Sequence, residues 1–197
     1  MIHFFCAEQN DILIRPLHRY DIEYLREWRN NAELSRFLRS VDTVTAEAQI
    51  EWYKKYLEDN DTYFFAIDYK RKRTVGALAL YNIKGNSCDI GKFVIGDQSA
   101  KGHRIAENAF LMAMGIAKVF LNKSCFRLSV HEDNVPARHV YEGLGFYKIG
   151  EHPFAGGGIE YEMEADFDSV EKLKPAAQIN YFRENDTEII CGNKRSC

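Results

Sequence analysis

The chain has 197 residues, of which 46% are apolar and 28% are charged, and its formal net charge is -3 at pH 7. This composition is typical of a globular protein with a single core, and it excludes a largely disordered chain. The small negative charge argues against a protein that coats nucleic acid or binds an anionic membrane, so we expect neither as a partner.

The cysteines and the N-terminal sequence indicate a cellular compartment. The five cysteines are scattered, odd in number and without a C-x-x-C pair, which predicts neither a disulfide scaffold nor a zinc site and fits a reducing environment. The first ten residues lack the basic start and apolar run of a signal peptide, and no segment approaches the roughly 20 apolar residues of a membrane helix. We therefore expect a cytoplasmic protein without a bound metal.

The first third of the sequence predicts one strand followed by three helices. Residues 12–17 are predicted to form the strand. Apolar residues recur at helical spacing after Asp21, which we expect to cap the first helix, and a second helix is predicted after Asn31. Thr45 is a good cap residue for the third helix.

The period of the apolar pattern then changes from helical to strand-like. Three segments rich in β-forming residues follow one another, at 63–69, 74–83 and 88–95. They are joined by a basic turn at 70–73 and a glycine-containing turn at 84–87, which predicts an antiparallel meander. We interpret the basic turn as a solvated hairpin tip and not as a binding patch.

The second half alternates helices with single strands. The predicted elements are a polar loop at 96–104, a helix at 105–121, a strand at 126–132, a helix at 135–144, and strands at 146–152 and 159–167. We expect one domain at 1–167 and a partly ordered C-terminal extension at 168–197, in which Tyr181, Phe182, Ile189 and Ile190 could dock on the domain.

The loop before the long helix has the features of an anion site. Free backbone N–H groups at a helix N-terminus, together with the helix dipole, favour a phosphate or pyrophosphate. Gly102 would let the backbone approach a ligand closely, and Ala106 keeps the first helical turn thin. Taken alone, a glycine before a helix more often marks a plain turn.

The segment at 130–150 predicts a strand followed by a short capped helix. Asn134 is the expected cap, and Pro136 occupies an early helical position that suits proline. Ala137 and Tyr141 lie four residues apart and therefore share one helix face. Each of these residues can also be explained by packing alone.

The combination of the two segments is more informative than either one. The pattern Asn134-x-x-Ala137-x-x-x-Tyr141-x-x-x-Gly145-Phe146, downstream of a glycine-containing loop and helix, resembles the GNAT superfamily of N-acetyltransferases. The resemblance covers residues 11–167. It implies an α+β fold with a central mixed, mostly antiparallel sheet that is splayed between its fourth and fifth strands, with helices on both faces.

The resemblance also implies an enzyme that uses acetyl-CoA as a co-substrate and needs no metal. The pantetheine arm would lie in the gap between the splayed strands, and the pyrophosphate would lie on the N–H groups at 101–106. Tyr141 would stand near the thioester sulfur as general acid. The implied coenzyme-binding residues are Phe93, Val94, Ile95, Lys101, Gly102, His103, Arg104, Ile105, Ala106, Asn134, Ala137 and Tyr141.

Acetyl transfer to an amine makes demands that these residues can meet. It needs a neutral nucleophile placed against the thioester, a donor for the developing oxyanion and a proton for the departing thiolate. A backbone N–H near Val94 could be the oxyanion donor. The fifth-strand position at which some relatives carry a catalytic glutamate is Ser129, so the candidate routes for the amine's proton are Ser129, nearby His131 or an ordered water.

Arg104 departs from the family pattern, because it stands where a second glycine is common. Three interpretations are open. The residue could have helical dihedral angles with its side chain pointing outward, it could add a charge-assisted contact to a coenzyme phosphate, or coenzyme binding could be lost.

The acceptor amine is suggested by the N-terminal helices. The sequence at 28–31 and 45–53 resembles a subgroup that acetylates either nucleotide-linked amino sugars or the N-termini of ribosomal proteins. We favour a small-molecule amine such as the amino sugar, in a monomer or homodimer. A coenzyme-binding module without activity stays an alternative. The candidate substrate-binding residues are Trp28, Arg29, Asn30 and Trp52, although core packing could also explain both tryptophans.

Overall fold

The structure is a computed structural model that describes residues 3–37, 42–70, 72–100, 102–167 and 180–183. Within these ranges the chain forms one nine-stranded sheet in the order β7-β8-β6-β5-β4-β3-β2-β1-β9, with five α-helices. The strands are β1 (Phe5–Gln9), β2 (Ile12–Pro16), β3 (Tyr63–Tyr69), β4 (Lys72–Lys84), β5 (Ser87–Ile95), β6 (Cys125–His131), β7 (Tyr147–Pro153), β8 (Ile159–Asp166) and β9 (Asn180–Arg183). The helices are α1 (Ile22–Asn30), α2 (Ala32–Ser35), α3 (Ala46–Glu58), α4 (Ile105–Leu121) and α5 (Val135–Gly143).

The sheet is antiparallel except where β5 meets β6. These two strands run parallel and pair at only one end, in the register Ser87↔Cys125, Cys88↔Phe126 and Asp89↔Arg127. Beyond that point β5 and β6 continue without further pairing between their described residues, so a gap opens between them. The prediction of a mixed, mostly antiparallel and splayed sheet is confirmed.

Helices cover both faces of the sheet because the central strands are apolar on both sides. In β3, Phe65 and Ile67 join the larger core cluster with α4, whereas Phe64 and Ala66 join a second cluster with α1 and α3. Successive residues of a strand point to opposite faces, so one strand supplies both cores. The predicted arrangement of helices on both faces is therefore confirmed.

Two of the predicted helix caps form a side-chain hydrogen bond, and one does not. The Thr45 hydroxyl accepts a hydrogen bond from the Ala48 N–H (3.2 Å), and Asn134 Oδ1 accepts one from the Ala137 N–H (3.4 Å). Asp21 occupies the N-cap position of α1, as predicted, but its side chain forms no capping hydrogen bond with this helix. Its carboxylate is fully buried and is held instead by the Arg15 guanidinium at 2.8 Å.

Two strands were not predicted from the sequence, and both lie at one edge of the sheet. β1 pairs antiparallel with β2, and β9 pairs antiparallel with β1. The Tyr181 side chain of β9 then reaches α4, where a Cβ added to Gly115 would be 1.8 Å from the tyrosine oxygen. The docking expected of Tyr181 is confirmed, while Ile189 and Ile190 lie outside the described residues. None of the described helices is long and apolar enough to cross a membrane.

Candidate active site

A β-bulge in β5 lies at the point where the sheet opens. Two residues, Lys92 and Phe93, face a single residue of β4, because the register shifts between the pairs Ala77↔Val94 and Ala79↔Gly91. Lys92 has a positive φ of 49°, a conformation that is uncommon for any residue other than glycine. A bulge leaves its extra residue outside the hydrogen-bond ladder and redirects the neighbouring side chains. Strained backbone of this kind is concentrated at functional sites.

The bulge sends its two side chains to opposite faces of the sheet. Phe93 packs edge-on against Phe110 of α4, with ring centres 5.1 Å apart. Lys92 lies on the other face, where its Nζ is 5.0 Å from the centre of the Phe64 ring and 4.8 Å from that of Tyr81. Partial burial lowers the pKa of Lys92, although the charge of Asp59 opposes this effect.

The loop before α4 presents a helix N-terminus beside the end of β5. Gly102 has a φ of 81°, and a Cβ added to it would meet nothing within 4 Å, so the position is open to a ligand. The Asn108 N–H bonds to the Arg104 carbonyl (3.0 Å), and the amides that precede it in the first turn have no partner within the helix. His103 stacks on Tyr69, with ring centres 5.3 Å apart. Lys101 lies outside the described residues.

Arg104 does not have the helical dihedral angles that one interpretation predicted. Its φ of 54° and ψ of 25° are left-handed, and it is the residue that precedes the first turn of α4. The side chain points outward and pairs with Glu107, with Nε 2.7 Å from Oε2. A left-handed conformation explains why a glycine suits this position.

The helix α5 places a tyrosine beneath the gap in the sheet. Tyr141 is buried between Phe110 and Phe146, with ring centres at 5.1 Å and 6.1 Å. No described residue forms a hydrogen bond with its hydroxyl. Burial raises the pKa of Tyr141, so the phenol keeps its proton at neutral pH. Ala137 lies one turn earlier on the same face, and Asn134 caps the helix as described above.

Ser129 and His131 lie on the face of β6 that points away from α4, but their surroundings differ. Ser129 is exposed and lines a polar cavity of about 280 Å³, together with Tyr81, Asp89, Arg127, Leu128, Ile149, Glu162 and Met163. The His131 ring is buried, its Nε2 donates to the Gly157 carbonyl (2.9 Å), and its Nδ1 accepts from the Asp133 N–H (3.1 Å). Both nitrogens of His131 are thus hydrogen-bonded, Nε2 to the turn between β7 and β8 and Nδ1 to the loop between β6 and α5.

A larger cavity of about 470 Å³ lies between α1, α3 and β5, and we call it the acceptor cavity. Of the four candidate substrate residues, Trp28, Arg29 and Trp52 line it. Asn30 does not, because its side-chain amide forms two hydrogen bonds with the Val44 backbone, at 2.8 and 2.9 Å. The full lining is Leu25, Trp28, Arg29, Leu34, Val44, Gln49, Trp52, Phe64, Lys92, Phe93 and Val94.

Both tryptophans are packed into the walls of the acceptor cavity. Trp28 lies flat against the end of β5, where a Cβ added to Gly96 would be 2.0 Å from the indole ring. Trp52 meets Phe64 edge-on at 5.2 Å and lies parallel to Tyr56 at 5.9 Å. Core packing is therefore observed for both tryptophans, and both line the cavity, while substrate binding by them stays a prediction.

Sequence reasoning missed six of the eleven lining residues, and Lys92 and Phe64 are the two of these that lie on the sheet. A signal for each was present, because Lys92 directly precedes the segment 93–95 assigned to the coenzyme. The alternation along β3 also places Phe64 on the face opposite α4. The left-handed bulge that redirects Lys92 had no such signal.

The splayed sheet, the bulge, the helix N-terminus and the buried tyrosine together define an N-acetyltransferase of the kind that uses acetyl-CoA. Residues 11–147 match the family described as "Acetyltransferase (GNAT) domain". The chain belongs to this family, and the resemblance inferred from its motifs is confirmed.

Several named proteins are similar to the chain. Spermidine N(1)-acetyltransferase of Escherichia coli (strain K12) is 25% identical over 142 residues, which is 72% of this chain and 76% of that protein. Acetyltransferase PseH of Campylobacter jejuni is 22% identical over 126 residues, covering 64% and 76% of the two chains. The crystal structure of spermidine N-acetyltransferase from Vibrio cholerae in complex with CoA and spermine has a TM-score of 0.73 at 21% identity, covering 81% of this chain and 98% of that one. At this identity the structural likeness shows a common fold.

Proposed function

We propose that the chain transfers the acetyl group of acetyl-CoA directly to the primary amine of a small molecule, such as a nucleotide-linked amino sugar, bound in the acceptor cavity. One observation carries this proposal. The cavity ends on Phe93 and Val94 of the β5 bulge, beside the gap that would receive the pantetheine arm. Its volume is in the range of small-molecule sites.

The residues beside the gap fit the coenzyme. The open position at Gly102 and the N-terminus of α4 suit a pyrophosphate, and the gap between β5 and β6 suits an extended arm. When bound, acetyl-CoA supplies the thioester carbon that the amine attacks. A backbone N–H at Val94 would then polarise the carbonyl, and the carbonyl oxygen gains charge as the bond to nitrogen forms.

Tyr141 is the residue that we assign to the departing thiolate. Its hydroxyl stays protonated because it is buried, and no described group competes for its proton. When the C–S bond breaks, the sulfur takes this proton and a tyrosinate remains to be reprotonated. The amine must lose a proton before its attack. We assign that proton to a water held near Ser129, since both nitrogens of His131 are already hydrogen-bonded.

Acetyl-CoA binding provides the first test. Acetyl-CoA should raise the melting temperature of the purified protein, because a ligand that binds only the folded state stabilises it. A panel of amines, including amino sugars, spermidine and an N-terminal peptide, should then release free thiol for at least one small amine. Binding of acetyl-CoA without thiol release from any amine would favour the coenzyme-binding module.

The role of Tyr141 has its own test. Tyr141→Phe should lower kcat by about 100-fold or more while leaving the Kd of acetyl-CoA nearly unchanged, because the hydroxyl acts on the leaving group. Tyr147→Phe is the matched control, since Tyr147 is exposed and its hydroxyl bonds to Glu164 at 3.3 Å. Equal losses in turnover and in coenzyme affinity would contradict the assignment.

A further inference from the structure

The charges that line the acceptor cavity have one sign. Among its described lining residues, Arg29 and Lys92 are the ionisable side chains, and both are cations. The remaining lining is apolar except for Gln49. Charge interactions are stronger next to apolar walls than in water, so a ligand in the cavity would meet these two cations directly, while the charge of Asp59 also acts on Lys92.

Arg29 is available to a ligand. It lies in the last turn of α1, where a cation interacts favourably with the helix dipole. Its neighbour Arg26 is paired with Glu23 at Nε–O distances of 3.0 Å. No carboxylate among the described residues makes a comparable contact with Arg29. The helix dipole explains a cation at this position, but it does not explain why Arg29 lines the cavity.

Lys92 is held so that its charge faces the same space. The left-handed bulge turns its side chain away from α4, and its ammonium lies against the Phe64 and Tyr81 rings. A cation placed over the faces of aromatic rings is attracted by them. The contacts also restrict where the ammonium can go, which keeps it beside the bulge at which the transfer would occur.

We propose that the acceptor carries an anionic group in addition to its amine, and that Arg29 and Lys92 bind this group. The proposal rests on the proposed function and narrows the substrate class. A phosphate or a carboxylate has two oxygens that can each accept a hydrogen bond from the same guanidinium. A polyamine would instead bring further ammonium groups next to two fixed cations, which is unfavourable. Arg29 and Lys92 thereby select against the substrate that gives the spermidine N(1)-acetyltransferases their name.

Matched pairs of amines test the inference. Glucosamine 1-phosphate and glucosamine differ by a phosphate, and serine and serinamide differ by a carboxylate, so the two pairs also separate the two kinds of anion. We expect the anionic member of at least one pair to have the higher kcat/KM, and spermidine to be poor. A clear preference for spermidine, or for the neutral member of both pairs, would overturn the inference.

Substitutions of Arg29 test whether this residue produces the preference for anionic amines. Arg29→Gln should lower kcat/KM for the preferred anionic amine by about 10- to 100-fold, the worth of a charged hydrogen bond. Activity on the neutral partner should fall by a smaller factor, because that amine lacks the group that Arg29 binds. Arg29→Lys should restore part of the preference, because it keeps the charge but not the fork. Arg19→Gln, an exposed arginine outside the cavity, is the control. Equal losses for both members of a pair would contradict a role for Arg29 in selection.

Binding measurements separate this inference from the proposed function. Calorimetric titration of the CoA-saturated protein with the same pairs reports anion preference without turnover. Anion preference in binding with no acetylated amine would support the charge inference and count against the transferase proposal. Acetylation of amines without a preference for the anionic member, in binding or in turnover, would support the transferase proposal and count against the charge inference.

Discussion

The left-handed backbone conformation at Arg104 predicts which of two variants at this position is the more stable. Comparing the variants Arg104→Gly and Arg104→Ala isolates the backbone, because both variants lose the ion pair with Glu107. The position is exposed, so neither variant leaves a hole in the core. What differs between them is the conformational preference of glycine and alanine at a φ of 54°.

The expected size follows from the general cost of that conformation. A residue with a Cβ loses about 1–2 kcal/mol in the left-handed region. Glycine avoids this cost, but it lowers the free energy of unfolding by about 0.4–1 kcal/mol, because it gives the unfolded chain more conformational freedom. The balance favours glycine, and in a chain of this size we expect Arg104→Gly to melt about 2–4 °C above Arg104→Ala. With right-handed helical dihedral angles at this position, the order would be reversed, because alanine is the better helix former.

Substitutions of two native glycines serve as controls for the effect of backbone conformation on the melting temperature. Gly102→Ala places a Cβ at a φ of 81° and should lower the melting temperature, whereas Gly143→Ala, within α5 and facing open space, should raise it. Melting temperatures and urea midpoints should agree in sign. An Arg104→Ala protein that is more stable than Arg104→Gly would refute the left-handed assignment. A large loss of acetyl-CoA affinity in both variants would instead support the phosphate contact that the sequence left open.

Two further predictions concern the Trp28 contact and a buried histidine. Gly96→Ala should displace Trp28, lower stability by about 1–3 kcal/mol and change the tryptophan fluorescence, since the added Cβ would be 2.0 Å from the indole ring; an unchanged spectrum would contradict the contact. The His3 ring donates to the Phe64 carbonyl (2.7 Å) and is buried, which lowers its pKa to about 4. The unfolded chain therefore binds a proton first, and this residue's contribution of about 3 kcal/mol is present above pH 6.5 and is lost as the pH falls towards 4. Urea midpoints from pH 7.5 to 4.5 should fall less steeply for His3→Gln than for the unmodified chain, and equal slopes would count against the assignment.

The parts of the fold that sequence predicts well are those governed by local rules. Thr45 and Asn134 cap their helices through side-chain oxygens, as short-range chemistry requires. The alternation of apolar residues located the strands from β2 to β8. The motif around Tyr141 identified the family, because the order of elements limits the number of folds that could hold it.

The parts that sequence missed depend on contacts between distant residues. Asp21 looks like a cap, but it is recruited by Arg15, which also binds Asp68 at 2.9 Å and Thr74 at 3.2 Å. The strands β1 and β9 are more than 170 residues apart and need each other to form that edge of the sheet. The bulge at Lys92 is set by the mismatch between β4 and β5, to which both strands contribute. No window of sequence contains such information.

Trp28 links the two halves of the candidate site. Its ring lies on Gly96, from which the loop towards Gly102 and α4 begins, and the same ring lines the acceptor cavity. The next residue along α1 is Arg29, and neighbouring helical residues point about 100° apart. One residue of this helical turn is therefore anchored at the end of β5, while the next presents its charge to the cavity. The contact of Trp28 holds α1 against the strand that carries the bulge. Arg29 and Lys92 therefore line the same cavity, where one small molecule can contact both. Trp28 therefore connects the acceptor cavity to the start of the loop that leads to the coenzyme site.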